Sequence, residues 1–406
     1  MNPKNDISKN ILIIAERFYP EEFGINDLAR ELYSKGYHVS VLTQVPSYPF
    51  DKVYDGYENR LFQREDWDGI CIYRIFGILG YKKSVFLKVL SYIMYAVQTI
   101  FVSFIVAGNC SKIYVYQPGP LTQALPGVLL KKFFGKKLFV WTLDVWPDSV
   151  FAYGFKKHWL SKKILDLFVK FIYVNCDTVF VSCEGFIPRI KEYAPNTKVV
   201  FTPQWVPNDL NFDNAVPHEN MKGFFNFTFA GNIGKVQNLE NVIKGFGHIS
   251  DDFPQARLNI IGDGSNLEEL KKLAETDKIN NVVFWGRKPL KEMPDWFSGS
   301  DVLIISLIDS PVFSITVPAK FQAYLAADKA LFCVMKGEVA RIVNENCIGL
   351  VADPSSVESI AHGFKGFLSM NRDQLTRYRV NMRRLLTNDY SREKIFDLKI
   401  AHIFNG

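Results

Sequence analysis

Along the chain, short and nearly unbroken apolar runs alternate with longer stretches of helical spacing. Residues 11–15, 39–43, 70–75, 112–116, 138–143, 178–182 and 199–202 form the first series of runs. Val, Ile, Leu and Phe follow one another there without polar alternation, the mark of strands covered on both faces. Most gaps between them are long enough for a helix, as at residues 26–35. Repeated β-α-β units with a parallel sheet are therefore expected. The pattern restarts at residues 225–230 and continues through 258–261, 282–285, 302–306, 331–334 and 350–352. The expected fold class is α/β, with two Rossmann-like domains over 1–205 and 206–388, joined near 203–213. A last helical stretch, 391–404 within 389–406, is free to pack back on the first domain.

One segment breaks the rhythm. Residues 89–107 carry no charge over 19 positions, close to the length of a membrane span. They include Ser91, Tyr92, Tyr95, Gln98, Thr99 and Ser103, and the flanking runs read as strands of one sheet. A span would put those strands on opposite sides of the bilayer. The segment therefore reads as a helix that is part core and part membrane interface, with Lys82-Lys83 and Lys88 at its start placed to meet anionic headgroups.

Composition sharpens that picture. The formal charge of the 406 residues is +6. The excess lies before about residue 205, in pairs such as Lys131-Lys132, Lys136-Lys137, Lys156-Lys157 and Lys162-Lys163. No nucleic-acid reading module accompanies them; beside the apolar segments they suggest attraction to anionic lipid or phosphate, and an anionic membrane surface is an expected partner. Aromatics make up 15% of the chain, and core packing accounts for them unless a lipid-facing surface is found. The six cysteines form no CxxC pair and sit mostly in apolar runs, as buried reduced thiols do. The six histidines show no ligand spacing, so no metal is expected. The polar first ten residues lack a signal peptide's apolar core, and a cytoplasmic protein at the inner membrane face is expected.

Four loops carry candidate chemistry. After the first strand, the loop holding Glu22, Gly24 and Asn26 leads into a helix. Gly24 permits close backbone approach and Asn26 is suited to cap the helix; an ordinary β-α turn has the same look. Asp144, in Leu143-Asp144-Val145-Trp146-Pro147-Asp148, lies beyond the carboxyl end of a strand, where open α/β sheets bind ligands; helix capping is the other role for such an Asp. In the second half, Gly231-Asn232-Ile233-Gly234-Lys235-Val236-Gln237 suits a diphosphate, through backbone N–H groups and a cation. Thr316-Val317-Pro318-Ala319-Lys320 opens a helix with a lysine in the first turn, where the helix dipole disfavours a cation; an anion partner explains such a placement. Asp66-Trp67-Asp68 reads as a charged surface turn rather than a metal site.

The ordered set of these motifs resembles the retaining GT-B glycosyltransferases of family GT4, especially the O-antigen and capsule L-fucosamine transferases of the WbuB type. The matching pieces are Tyr19-Pro20-Glu21-Glu22-Phe23-Gly24-Ile25-Asn26-Asp27, Val41-Leu42-Thr43-Gln44-Val45-Pro46-Ser47-Tyr48-Pro49, Leu143 to Asp148, Ala230 to Gly234, Ile261-Gly262-Asp263-Gly264, and Val317 to Ala326. Two glutamates common in the family are replaced by Ile315 and Ala323. An Arg and a Lys are replaced by Asn232 and Gln237.

The resemblance implies two facing domains with a cleft between them and a metal-independent hexosyl transfer. It implies a UDP-sugar donor, with Gly286 and Arg287 beside the base. Gly231, Asn232, Gly234, Lys235, Gln237, Thr316, Val317 and Lys320 would hold the rest, and no other cofactor is required. It implies Asp144 and Lys320 as catalytic groups, and Glu22, Gly24 and Asn26 on the acceptor side. The acceptor would be a polyprenyl-diphosphate-linked saccharide. A UDP-sugar epimerase of the same fold and a non-catalytic membrane-bound component of a polysaccharide complex are the alternatives. The first needs an acid-base set with histidine that these motifs lack. The second rests on the missing glutamates.

Overall fold

The computed structural model describes residues 7–80, 84–152, 158–207 and 210–405. The Lys82-Lys83 and Lys156-Lys157 pairs lie outside the described residues. The chain divides into two compact units, Met1–Pro203 with Glu393–Gly406, and Gln204–Arg392.

The first unit is built on eight strands: β1 (Asn10–Ala15), β2 (His38–Gln44), β3 (Phe62–Trp67), β4 (Ile70–Ile75), β5 (Lys112–Gln117), β6 (Lys137–Thr142), β7 (Thr178–Val181) and β8 (Lys198–Phe201). Their order is β3-β4-β2-β1-β5-β6-β7-β8. Every residue of β1, β5 and β7 is buried, as unbroken apolar runs require.

β3 is the one strand of this sheet that the apolar pattern does not reveal. It is polar and half-exposed, and it pairs antiparallel with β4, Trp67 opposite Ile70. The intervening Asp68 and Gly69 have φ of 52° and 89°, the left-handed pair that a two-residue hairpin needs. Asp66 Oδ1 accepts the Gly69 amide at 3.0 Å. The acidic triplet is thus a strand end and its turn.

The uncharged segment is a helix, Val85–Val106, started by Ser84, whose side chain accepts the Phe86 amide. Its burial is inverted. Ser91, Tyr95, Thr99 and Ser103, four residues apart, are buried, while Phe86, Ile93, Phe101 and Ile105 are exposed, Ile105 by 79%. By length and composition it is the one helix among the described residues apolar enough to cross a membrane.

The last helix, Arg392–Phe404, packs on the first sheet. Phe404 stacks on Tyr37 with centroids 3.7 Å apart. Lys399 is fully buried, its Nζ 3.0 Å from the Trp141 ring centroid. Burial holds that ammonium well below the ordinary lysine range.

The second unit carries β9 (Phe225–Ala230), β10 (Ala256–Ile261), β11 (Val282–Gly286), β12 (Val302–Ser306), β13 (Ala330–Val334) and β14 (Gly349–Val351). They form an all-parallel sheet in the order β11-β10-β9-β12-β13-β14. Phe227, Phe246, Phe332, Phe364 and Phe367 interlock in its core, mostly edge to face. Much of the aromatic content is therefore core.

In both sheets the strand order reverses beside the first strand, at β1/β5 and at β9/β12. Loops leaving the carboxyl ends there diverge, and open α/β sheets take their ligands in that crevice.

Candidate functional site

At the β9/β12 reversal, the loop after β9 and the loop after β10 lie back to back. The Gly231 amide donates to Ile261 O and the Ile233 amide to Asp263 O, both at 2.9 Å. Gly262 has φ of 140°, and a Cβ there would stand 1.9 Å from Gly231 O. A Cβ on Gly264 would stand 2.3 Å from Ile233 O. Glycine is the residue that permits this approach.

Lys320 begins the helix Lys320–Ala326, two residues after Pro318. Its Nζ lies 3.7 Å from the Phe229 ring centroid and donates to Gln237 Oε1 at 3.1 Å. It also lies 3.0 Å from where a Gly231 Cβ would be. Gly231, Gln237 and Lys320 are thus brought together from separate stretches of chain. Burial pulls the Lys320 ammonium down to about 7. Its hydrogen-bond partner is a neutral amide, and no carboxylate among the described residues compensates it.

The other expected donor residues have varied placements. Gly286, φ 67°, accepts the Gly262 amide at 2.9 Å, which ties the end of β11 to the glycine loops. Arg287 follows it, exposed. Asn232 is exposed, its Nδ2 3.0 Å from a Cβ built on Gly234. Lys235 is also exposed and pairs with Glu269 at 3.5 Å, so Lys320, not Lys235, is the cation beside Gly231. Thr316 Oγ1 donates to Val312 O, and the Val317 side chain is buried. Tyr324, one turn after Lys320, was not expected here. It is fully buried, and its hydroxyl accepts the Ala230 amide at 2.9 Å, clamping the end of β9. An aromatic at the i+4 position was the sequence signal for it.

At the β1/β5 reversal of the first unit the charges are buried. Glu16, Arg17 and Glu21 are each less than 10% exposed. Glu21 Oε1 accepts the Ser47 and Tyr48 amides at 2.8 and 2.6 Å. Arg17 donates to Ser47 Oγ at 2.9 Å and Gln123 to Glu16 Oε2 at 2.7 Å. Burial raises the Glu21 carboxyl above its usual range despite Arg17. Sequence alone does not separate Glu21 from its neighbour Glu22, which is exposed.

The expectation that Asn26 caps its helix is corrected. The helix Gly24–Ser34 starts before it, after Phe23, with Gly24 as the first helical residue. Asn26 instead staples the loop: its Oδ1 accepts the Tyr19 amide at 3.1 Å and its Nδ2 donates to Glu21 O at 2.7 Å.

Asp144 follows β6, half-buried, with Gln117 donating to its backbone oxygen at 3.2 Å. Burial pushes its carboxyl up to about 6. Arg189 grips Asp148 through two nitrogens, at 2.5 and 3.1 Å, and anchors the same loop.

Residues 213–384 match the family described as Glycosyl transferases group 1. The second unit is thus similar to a group 1 glycosyltransferase domain. The match takes in all of β9 to β14 and every glycine and lysine of the crevice described above. Bacterial relatives extend beyond it. The chain is 28% identical over 256 residues to the probable glycosyltransferase WbjE of Pseudomonas aeruginosa, covering 60% of this chain and 62% of that one. It thus spans less than two thirds of that relative. It is 22% identical over 379 residues to the putative colanic acid biosynthesis glycosyl transferase WcaI of Escherichia coli K12, covering 87% and 91%. An Escherichia coli structure described as trehalose-6-phosphate bound with UDP-2-fluoro glucose matches with TM-score 0.74 at 11% identity, over 98% of this chain and 99% of that one. The fold of this glycosyltransferase-like chain is GT-B.

Proposed function

We propose that the protein is a retaining, metal-independent glycosyltransferase. It moves a sugar, an N-acetylated amino sugar of the fucosamine kind, from a UDP-sugar to a polyprenyl-diphosphate-linked saccharide in O-antigen or capsule assembly. The observation that carries this reading is Lys320: a half-buried ammonium with no carboxylate partner among the described residues, set against the Gly231 loop. A diphosphate supplies the missing charge. As the sugar–phosphate bond breaks, negative charge grows on the departing phosphate, and Lys320 stabilises it together with loop N–H groups other than those of Gly231 and Ile233, which are bonded within the loops. The sugar passes through an oxocarbenium-like state. Retention follows when the acceptor hydroxyl attacks from the leaving-group face. Asp144 orients that hydroxyl and accepts its proton, a task suited to a carboxyl near 6.

In this reading the first unit docks on the cytoplasmic leaflet without crossing it. The inverted helix Val85–Val106 has company. Phe104 meets Phe133 and Phe134 at 5.9 and 5.2 Å, and Lys132 lies 4.7 Å from the Phe171 centroid on the helix Trp159–Val174. Trp159, Ile164 and Leu167 on that helix are exposed, as is Phe133. Apolar insertion and lysine attraction then act together.

UDP release from UDP-N-acetyl sugars, measured with and without a short-chain polyprenyl-diphosphate saccharide, tests the proposal. Acceptor-dependent release supports transfer. Release or isomerisation without acceptor, or none at all, would replace it with one of the other two classes.

A further inference from the structure

The loops after β1 and β2 present aromatic faces beside the polar residues already described. Tyr48 is 43% and Phe50 58% exposed. Tyr48 meets Phe23 at 5.6 Å, and Phe23 meets Tyr116, the penultimate residue of β5, at 6.5 Å. Phe50 meets Tyr54 at 5.7 Å, and the Tyr54 hydroxyl donates to Tyr48 O at 2.7 Å.

This arrangement is held rigidly. The buried Glu21 takes the Tyr48 amide at 2.6 Å and the Ser47 amide at 2.8 Å. The Arg17 guanidinium lies 5.8 Å from the Tyr48 ring centroid. A buried charge cluster that spends an oxygen on two loop amides fixes where Tyr48 stands, which is the cost-saving device of a preorganised contact.

We infer that Tyr48, with Phe23 and Phe50, is a stacking platform for a pyranose ring of the acceptor saccharide, and that Glu21 is its positioning residue. The inference rests on the reading of the first unit as the acceptor side. A pyranose offers one face of C–H bonds to an aromatic ring and a rim of hydroxyls to polar neighbours. Here the rings of Tyr48 and Phe23 stand at the β1/β5 reversal, in the crevice where such sheets bind ligands. A prenyl chain would want a continuous apolar surface, whereas Glu22 and Lys52 are exposed in the same two loops. The saccharide is therefore the occupant that fits.

Saturation-transfer NMR on the full-length protein, with methyl N-acetyl-β-D-glucosaminide as probe and UDP titrated into the same samples, tests this. Wild type should transfer saturation to the pyranose ring protons. Tyr48→Ala should weaken half-saturation roughly tenfold, the scale of one aromatic contact, and Tyr48→Trp should restore it. Glu21→Gln keeps an oxygen for the Ser47 and Tyr48 amides and should hold the saccharide signal near wild type, whereas Glu21→Leu removes that acceptor and should weaken the saccharide while leaving UDP binding unchanged. Equal saccharide signals in wild type and Tyr48→Ala, no signal in wild type, or displacement of the probe by farnesyl phosphate would each overturn the inference. Loss of UDP binding in wild type would instead strike the donor reading, and is read independently in the same tubes.

Discussion

A lysine that the fold desolvates without a counter-charge is a costly residue, and Lys320 shows where that cost goes. Its depressed ammonium means that the native state holds fewer protons than the unfolded chain. Stability therefore falls as pH drops from 10.5 toward about 7, and the penalty is complete below that. Lys320→Met should raise the thermal midpoint at pH 6 relative to wild type, with the gap closing toward pH 10.5; a lower midpoint at pH 6 would refute this. The same residue should be needed for turnover, Lys320→Ala losing roughly 2–4 kcal/mol of transition-state stabilisation, checked by kcat/KM. Asp144 sets a separate test. With its carboxyl near 6, kcat/KM should climb through about pH 6, and Asp144→Asn should flatten that limb. Legibility was uneven at this scale. Lys320 stood out because the first turn of a helix disfavours a cation. Glu21 did not, because only burial separates it from Glu22. Asn26 was misread because the helix starts three residues earlier than its capping chemistry suggests, with Phe23 in the cap position.

Elements with strong periodicity were readable and elements defined by their edge were not. β1 and β5 announce themselves by burial on both faces, whereas β3 is a polar edge strand whose signal was the Asp68-Gly69 turn. The helix Val85–Val106 was readable as a helix but not in its rotation. Which face is buried depends on Ser91, Tyr95, Thr99 and Ser103 turning inward; Thr99 and Ser103 satisfy their hydroxyls on the helix backbone, at Ala96 O (3.1 Å) and Ile100 O (2.9 Å). Substitution on the exposed face should therefore spare the fold. Phe101→Ser or Ile105→Ser should lower recovery with anionic liposomes in flotation without lowering the thermal midpoint. Recovery should fall as salt rises, since each nearby lysine is worth about 1 kcal/mol and is screened. Equal recovery with neutral and anionic liposomes at all salt concentrations would remove the electrostatic part, and resistance to alkaline carbonate would mean a span.

For the whole molecule, two α/β units were legible because the strand pattern runs twice. The strand order within each sheet was not, since apolar runs carry no register. That order matters, because it puts the β9/β12 reversal beside Gly231 and Lys320 and the β1/β5 reversal beside Glu16 and Phe23. Calorimetric titration of UDP into full-length wild type, Lys320→Ala and Asp144→Asn tests most directly whether the β9/β12 crevice holds the donor. Wild type and Asp144→Asn should bind UDP with the same affinity, while Lys320→Ala binds at least tenfold more weakly, about 1.4 kcal/mol. Unchanged UDP affinity in Lys320→Ala, or no UDP binding by wild type, would contradict the assignment of the donor diphosphate to Lys320 and the glycine loops.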